Sequence, residues 1–268
     1  HAPHYQSLSE VAKSLGCDVS PWLACEENGW ALDLDELKRL IRPNTRVIVV
    51  NTPHNPTGYL MSRADFDALN RFVQENGLLL FFDEVYRESE YDPSMRLPAG
   101  CDLGEHAVSL GVTSKTYGLA GLRIGWIATK NRGIYEKMAS LKDYTTICNS
   151  APSEFLAEVA MRNRHKLAER NLGIIKSNLE IMDEFILHHS SLFNWVRPQA
   201  GSMGFPKLLN GGIEEFCDKV VREAGVLLLP GTMYDDTGDH FRVGLGRKNL
   251  PQAVEKLDEF LSSFVFPS

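Results

Sequence analysis

Five residues of different chemistry stand where short apolar runs of this chain end. The run Arg46 to Asn51 leads into Asn51-Thr-Pro-His-Asn-Pro-Thr-Gly58, and the run Leu78 to Asp83 ends in Asp83-Glu-Val-Tyr86. The run Ala107 to Thr113 leads into Ser114-Lys115, with Arg123 following before the next run. An amide (Asn55), a carboxylate (Asp83), a phenol (Tyr86), an amine (Lys115) and a guanidinium (Arg123) thus fall at corresponding positions of successive strand-like segments. In an open parallel sheet, ligands bind outside the carboxyl ends of the strands. Taken singly, each residue has an ordinary explanation: Asn-Pro-Thr-Gly is turn chemistry, an Asp closing an apolar run can cap a helix, and a lone Lys is usually solvated. As a set they mark a site, because a buried sheet edge does not gather Lys, Asp and Arg without partners when unpaired buried charges are so costly.

Rival motifs fail on spacing. Lys115-Thr116 is preceded by Ser114, whereas a phosphate-binding P-loop needs Gly directly before its Lys. Gly118, Gly121 and Gly125 do not follow the G-x-G-x-x-G of a dinucleotide turn. There is no H-E-x-x-H, and the adjacent His188 and His189 cannot share one helix face, so the expectation is no metal.

The elements that would position the set follow from periodicity. Arg46–Asn51, Leu78–Asp83 and Ala107–Thr113 are continuous apolar runs that read as buried strands, and Ser62–Asn76 reads as a helix with Phe66, Leu69, Phe72 and Val73 on one face. Such strands separated by helices predict an α/β fold, a mostly parallel sheet covered by helices on both faces. Arg123–Thr129 follows the third strand by a link too short for a crossover helix and is expected antiparallel. From Pro152 to about His189 the pattern is one long helix with a plausible break at Gly173. Shorter pieces follow: strands near Trp195–Val196, Ser202–Pro206, Val226–Leu229 and His240–Leu245, and helices over Ile213–Glu223 and Leu250–Phe264. This predicts a large domain over residues 1–172 and a smaller C-terminal α+β domain over 173–268.

At 268 residues the chain has length for about two domains. Its 28 Lys+Arg against 35 Asp+Glu, with no basic run, give no basis for a nucleic-acid partner. Five scattered cysteines with no C-x-x-C pair fit a reducing compartment, and no apolar run is long enough to span a bilayer. The expectation is a cytoplasmic protein with no membrane partner.

Asn55-Pro-Thr-Gly58, Asp83-Glu-Val-Tyr86, Ser114-Lys-Thr-Tyr-Gly-Leu-Ala-Gly-Leu-Arg-Ile-Gly-Trp126 and Phe241-Arg-Val-Gly244, in that order, resemble the motif set of the class I/II aminotransferases, pyridoxal-phosphate enzymes of fold type I. The resemblance runs over essentially the whole chain. It implies pyridoxal 5′-phosphate as cofactor, an amino acid and a 2-oxo acid as substrates, and a homodimer. It implies that Lys115 forms the internal Schiff base and then moves the substrate Cα proton, which requires an amine pKa lowered by burial and neighbouring positive charge. Asp83 would pair with the pyridine nitrogen and keep the ring protonated as an electron sink. Tyr86 and Asn55 would face the cofactor's phenolate oxygen, and Arg123 would clamp its phosphate with a planar fork. Arg242, with Asn55, would take the substrate carboxylate. Tyr5 matches the position of an aromatic ring stacked on the cofactor.

Elsewhere the family places a hydroxyl residue three positions before the lysine, where this chain has Val112; on a strand the neighbouring Thr113 should point the other way. Family chains also begin well before the position of His1, so the large domain is expected to be N-terminally incomplete, without a small-residue phosphate loop and a tyrosine reaching into the neighbouring subunit. Arg247 and Lys248 read as surface charges, and Met203 and Phe205 as core residues able to line a pocket. The alternatives are a lyase or decarboxylase using the same cofactor, or a truncated non-catalytic fragment.

Overall fold

The computed structural model describes residues 1–263. The chain divides into two compact units, one of residues 33–53 and 60–171, the other of residues 1–32, 54–59 and 172–268.

The first unit holds the sheet. Strands β1 (Val47–Asn51), β2 (Leu79–Asp83) and β3 (Ala107–Val112) lie side by side and parallel, and β4 (Gly125–Thr129) pairs antiparallel with β3. The expected α/β class, with a mostly parallel sheet and helices, is what forms. The short β3–β4 link does reverse the chain. Val50, Leu80 and Phe82 are fully buried, as continuous apolar strands require. Helix α2 (Leu34–Leu40) precedes β1, and α3 (Arg63–Glu75) crosses from β1 to β2. The Ser62 hydroxyl caps α3 by accepting from the Asp65 N–H at 3.1 Å. Its buried face is Phe66, Leu69 and Val73, with the Phe66 and Phe82 rings 5.3 Å apart, each side chain adding about 1.5–3 kcal/mol by leaving water. Register places Asn51 opposite Asp83 and Asp83 opposite Leu110, so the carboxyl ends of the three parallel strands line up.

Helix α4 (Arg132–Thr145) follows β4, and the long helical stretch is two helices, α5 (Ala151–Arg162) and α6 (Arg164–His188). The break is at Asn163, not at Gly173. Asn163 leaves helical geometry at φ −110°, and its side-chain amide donates back to the Val159 carbonyl at 2.9 Å, satisfying one acceptor at the end of α5. Gly173 sits inside α6, where a glycine costs about 1 kcal/mol against Ala but does not by itself end a helix.

The second unit is α+β. The central strand β9 (Phe241–Gly244) pairs antiparallel with β6 (Met203–Gly204) and β8 (Leu229–Pro230), and β5 (Phe193–Asn194) pairs with β7 (Lys207–Leu208). Helices α7 (Ile213–Lys219) and α8 (Leu250–Ser263) complete its C-terminal part; the expected end of α8 at Phe264 lies outside the described residues. Residues 1–32, with α1 (Ser7–Ser14), and the loop 54–59 group here, whereas the sequence reading placed them in the larger domain. The contacts responsible are specific. The His4 N–H donates to the Tyr234 carbonyl at 3.1 Å, the His54 ring meets the Pro3 carbonyl at 2.9 Å, and Glu26 faces Lys207 and His240.

Gly58 is fixed by the same packing. It adopts φ +70°, and a Cβ there would lie 2.3 Å from the Pro198 Cβ and 3.0 Å from the Met203 carbonyl. Gly58→Ala is therefore expected to destabilise the protein by roughly 2–4 kcal/mol in urea unfolding, because left-handed strain adds to a backbone clash. A change below about 0.5 kcal/mol, the size of a neutral surface substitution, would contradict this packing.

Candidate active site

In the sheet unit, Asp83, Tyr86 and Lys115 lie near one another beyond the carboxyl ends of β2 and β3, and Arg123 lies in the link from β3 to β4. Asp83 closes β2 with its carbonyl accepting from the Asn51 side-chain amide at 2.9 Å and from the Thr52 N–H at 3.1 Å, which pins the backbone. Its carboxylate is buried and takes one hydrogen bond among the described residues, from the Val85 N–H at 3.2 Å. Burial pushes its pKa up to about 6, against the lowering effects of the Val85 N–H and the Lys115 ammonium. Its neighbour Glu84 is also buried but is well supplied: the Gly100 N–H and the Arg87 guanidinium each reach it at 3.3 Å. Of two adjacent buried acids, Glu84 is a structural residue and Asp83 is the one still calling for a cation.

Lys115 Nζ stands 5.9 Å from the centre of the buried Tyr86 ring. Lys115 is exposed, so the burial expected of a Schiff-base lysine is not supplied by its neighbours in this unit. The backbone around it is held tightly. The Thr116 carbonyl accepts from the Asn171 amide at 2.9 Å, and the Tyr117 hydroxyl donates to Glu88 at 3.3 Å. Glu88 adopts φ +68°, an uncommon strain for a non-glycine residue, and Arg164 lies 3.6 Å from its carboxylate. Arg123 is exposed with φ +56°, and its guanidinium donates to the Ala120 carbonyl at 3.1 Å. Thr113 is fully buried and donates its hydroxyl to the Ile124 carbonyl at 3.1 Å, so it is committed to the β3–β4 link.

In the second unit, Arg242 on β9 donates to the Asn55 side-chain oxygen at 3.1 Å and lies over the Tyr234 ring at 5.3 Å. Asn55 is buried within a loop organised by the fully buried His54. That ring has Nδ1 2.7 Å from the Thr57 hydroxyl and Nε2 2.9 Å from the Pro3 carbonyl. The Pro3 carbonyl requires an N–H on Nε2, the Thr57 hydroxyl can donate to Nδ1, and burial lowers the ring's pKa to about 3, so it is neutral. Tyr5 is 48% exposed and follows His4, whose N–H donates to the Tyr234 carbonyl at 3.1 Å.

Sequence reasoning did not single out Tyr234, His54, Glu88 or Tyr117. For His54 and Tyr117 a signal existed, since Tyr117 lies inside a motif and His54 directly precedes one. For Tyr234 and Glu88 only the folded chain shows the contact.

Comparison with known proteins now places the chain. The model of the family described as "Aminotransferase class I and II" matches residues 1–257. Capreomycidine synthase of Streptomyces vinaceus is 28% identical over 97% of this chain and 67% of its own length. Aromatic-amino-acid aminotransferase 2 of Thermococcus litoralis is 27% identical over 87% of this chain and 60% of its own. The crystal structure of a PLP-dependent aminotransferase from Streptococcus suis superposes with a TM-score of 0.91 at 34% identity, covering 99% of this chain and 70% of that one. The chain is a member of the class I and II aminotransferase family, fold type I enzymes that use pyridoxal 5′-phosphate. It spans 60–70% of the length of these relatives.

The residues present suit that cofactor. A buried carboxylate with a single neutral donor calls for a cationic hydrogen-bond donor, which a protonated pyridine nitrogen is. The lysine lies within the electrostatic reach of that carboxylate.

Proposed function

We propose that the protein is an aminotransferase that moves an amino group between an amino acid and a 2-oxo acid, with Lys115 as its catalytic residue. The reading rests most heavily on Asp83, a buried and underprovided carboxylate beside the one lysine of the Ser114-to-Trp126 motif. Pyridoxal phosphate, when bound, supplies an electron sink for the substrate's Cα bond. Asp83 would hold a proton on the ring nitrogen, and Tyr86 and Asn55 would tune its phenolate oxygen. Arg123 would hold its phosphate, and Tyr5 would supply an aromatic ring for it to pack against. Lys115 carries the Cα proton between positions through its Nζ atom. Arg242, oriented by Asn55, takes the substrate's α-carboxylate with a planar fork that also rests on Tyr234. Bound this way, the substrate's Cα–H bond can be held in one orientation, and orientation is worth several kcal/mol of barrier.

A homodimer in the cytoplasm belongs to the same reading, supported by family membership. Among the described residues no helix is long and apolar enough to cross a membrane. A second reading keeps the cofactor but changes the outcome, and similarity to a protein named a synthase favours it. One assay separates the two. With pyridoxal phosphate, a panel of amino acids and 2-oxoglutarate, the first reading expects the amino group to appear on the 2-oxo acid. Consumption of an amino acid without that transfer would replace it with the second.

A further inference from the structure

His240 directly precedes the Phe241-Arg-Val-Gly244 motif and is 3% exposed. Its Nδ1 lies 2.9 Å from Asp236 Oδ2 and its Nε2 lies 3.3 Å from Glu26 Oε2. Two carboxylates face the two ring nitrogens. Nδ1 is hydrogen-bonded to Asp236, and Nε2 lies at ion-pair distance from Glu26 without a hydrogen bond; a neutral ring would aim a lone pair at one of the two carboxylates, so the arrangement favours the imidazolium. The charged groups facing the ring are these two acids, from the 3₁₀ turn Glu26–Asn28 and from the 235–240 loop. Lys207 on β7 stands 3.8 Å from the same Glu26 oxygen. Burial opposes the charge on His240, and its pairing with the Asp236 and Glu26 carboxylates outweighs burial, raising its pKa; the same pairing holds both acids below their usual range.

The ring also forms one end of an aromatic series. It stacks on Phe205 at 5.0 Å and 11°, and Trp30 meets it edge-on at 5.0 Å. Phe205 meets Tyr234 edge-on at 6.1 Å, and Tyr234 lies under the Arg242 guanidinium. The Asp236–His240 pair also closes the loop that joins Tyr234 to β9. Two left-handed residues in that loop, Asp235 and Asp239, mark how tightly it turns. Pairing and stacking thus converge on one guanidinium.

We propose that His240 is a positioning residue for Arg242: held as an imidazolium between Asp236 and Glu26, it fixes the loop and the aromatic floor on which the guanidinium lies. The proposal rests on Arg242 as the carboxylate-binding residue. Because the folded pKa is raised, the clasp is complete below pH 6.5, the ordinary imidazole value, and is lost as pH rises through the higher folded value.

The test uses the holoenzyme, the best amino donor of the panel and 2-oxoglutarate. His240→Gln should raise the donor's KM about fivefold or more and leave kcat within about twofold, since substrate affinity and not the chemical step is altered. Phenylglyoxal should modify Arg242 several-fold faster, read by peptide mass. The wild-type KM should climb as pH rises through loss of the imidazolium charge. Glu26→Gln, which removes one of the two acids, should start that climb at lower pH; it also serves if His240→Gln does not fold. Folded variants with wild-type KM and wild-type Arg242 modification, or with only kcat reduced, would overturn the proposal. Arg242→Lys separates the two layers. An unchanged KM there refutes the carboxylate role, and the Arg242 modification rate in His240→Gln then decides the positioning role alone.

Discussion

Lys115→Ala is expected to reduce kcat by about 10⁴-fold or more while leaving the fold intact, because it removes both the covalent anchor and the proton carrier of the reaction. The structure makes this a clean experiment. Lys115 is exposed, and its side chain takes part in no hydrogen bond or ion pair among the described residues. The loop is instead held through the Thr116 carbonyl and the Tyr117 hydroxyl, which the substitution leaves in place. Stability in denaturant should therefore move by less than about 0.5 kcal/mol, as for other exposed positions. Activity within about tenfold of wild type would show that the proton is carried by another group.

Asp83→Asn should act in opposite directions on stability and activity. In the cofactor-free protein at pH 7 to 8 it is expected to stabilise the fold by about 1–3 kcal/mol, several degrees in melting temperature. The sign follows from the raised pKa. Below 3.8, its ordinary value, Asp83 is neutral whether folded or unfolded; between there and about 6 the folded chain holds the proton more tightly, and above that a constant penalty for burying the anion remains. Asparagine keeps the size and the acceptor for Val85 N–H but carries no charge. Its advantage should therefore shrink as pH falls toward 4, which thermal scans across pH can follow. In the holoenzyme the same change should lower kcat by at least about a hundredfold, since a neutral amide does not hold the ring proton that makes the cofactor an electron sink. A destabilised cofactor-free variant, or a fully active one, would refute the assigned role. A residue that costs stability in the bare chain and is needed in the loaded enzyme is what a pre-built cofactor site requires.

The sheet and the positions of its strand-end residues were legible because both depend on local signals. Continuous apolar strands, a helix with a capping Ser62 and a link too short for a crossover define β1 to β4, and strand-end residues fall where alignment of parallel strands puts them. Several features were not legible, for physical reasons. Helix α4 has no buried residue, so it carries no strong apolar stripe, and α1 begins at Ser7 after Gln6, whose side chain makes no capping bond. The α5–α6 break falls at Asn163, an end marked by one residue's backbone turn and side-chain bond, where glycine content pointed to Gly173. The grouping of residues 1–32 with the C-terminal part rests on contacts between distant positions, such as Glu26 with His240, that no periodicity records. Tyr234 under Arg242 is a contact of the same kind. The exposure of Lys115 also differs from the sequence expectation, because spacing identifies a residue but not what surrounds it.

The central claim, that Lys115 bonds the cofactor, can be read directly. The protein is mixed with pyridoxal phosphate, reduced with borohydride and digested, and the peptides are weighed. The account predicts one modified peptide, the one carrying Lys115, and its loss in Lys115→Ala. Modification confined to other lysines, or none at all, would contradict it.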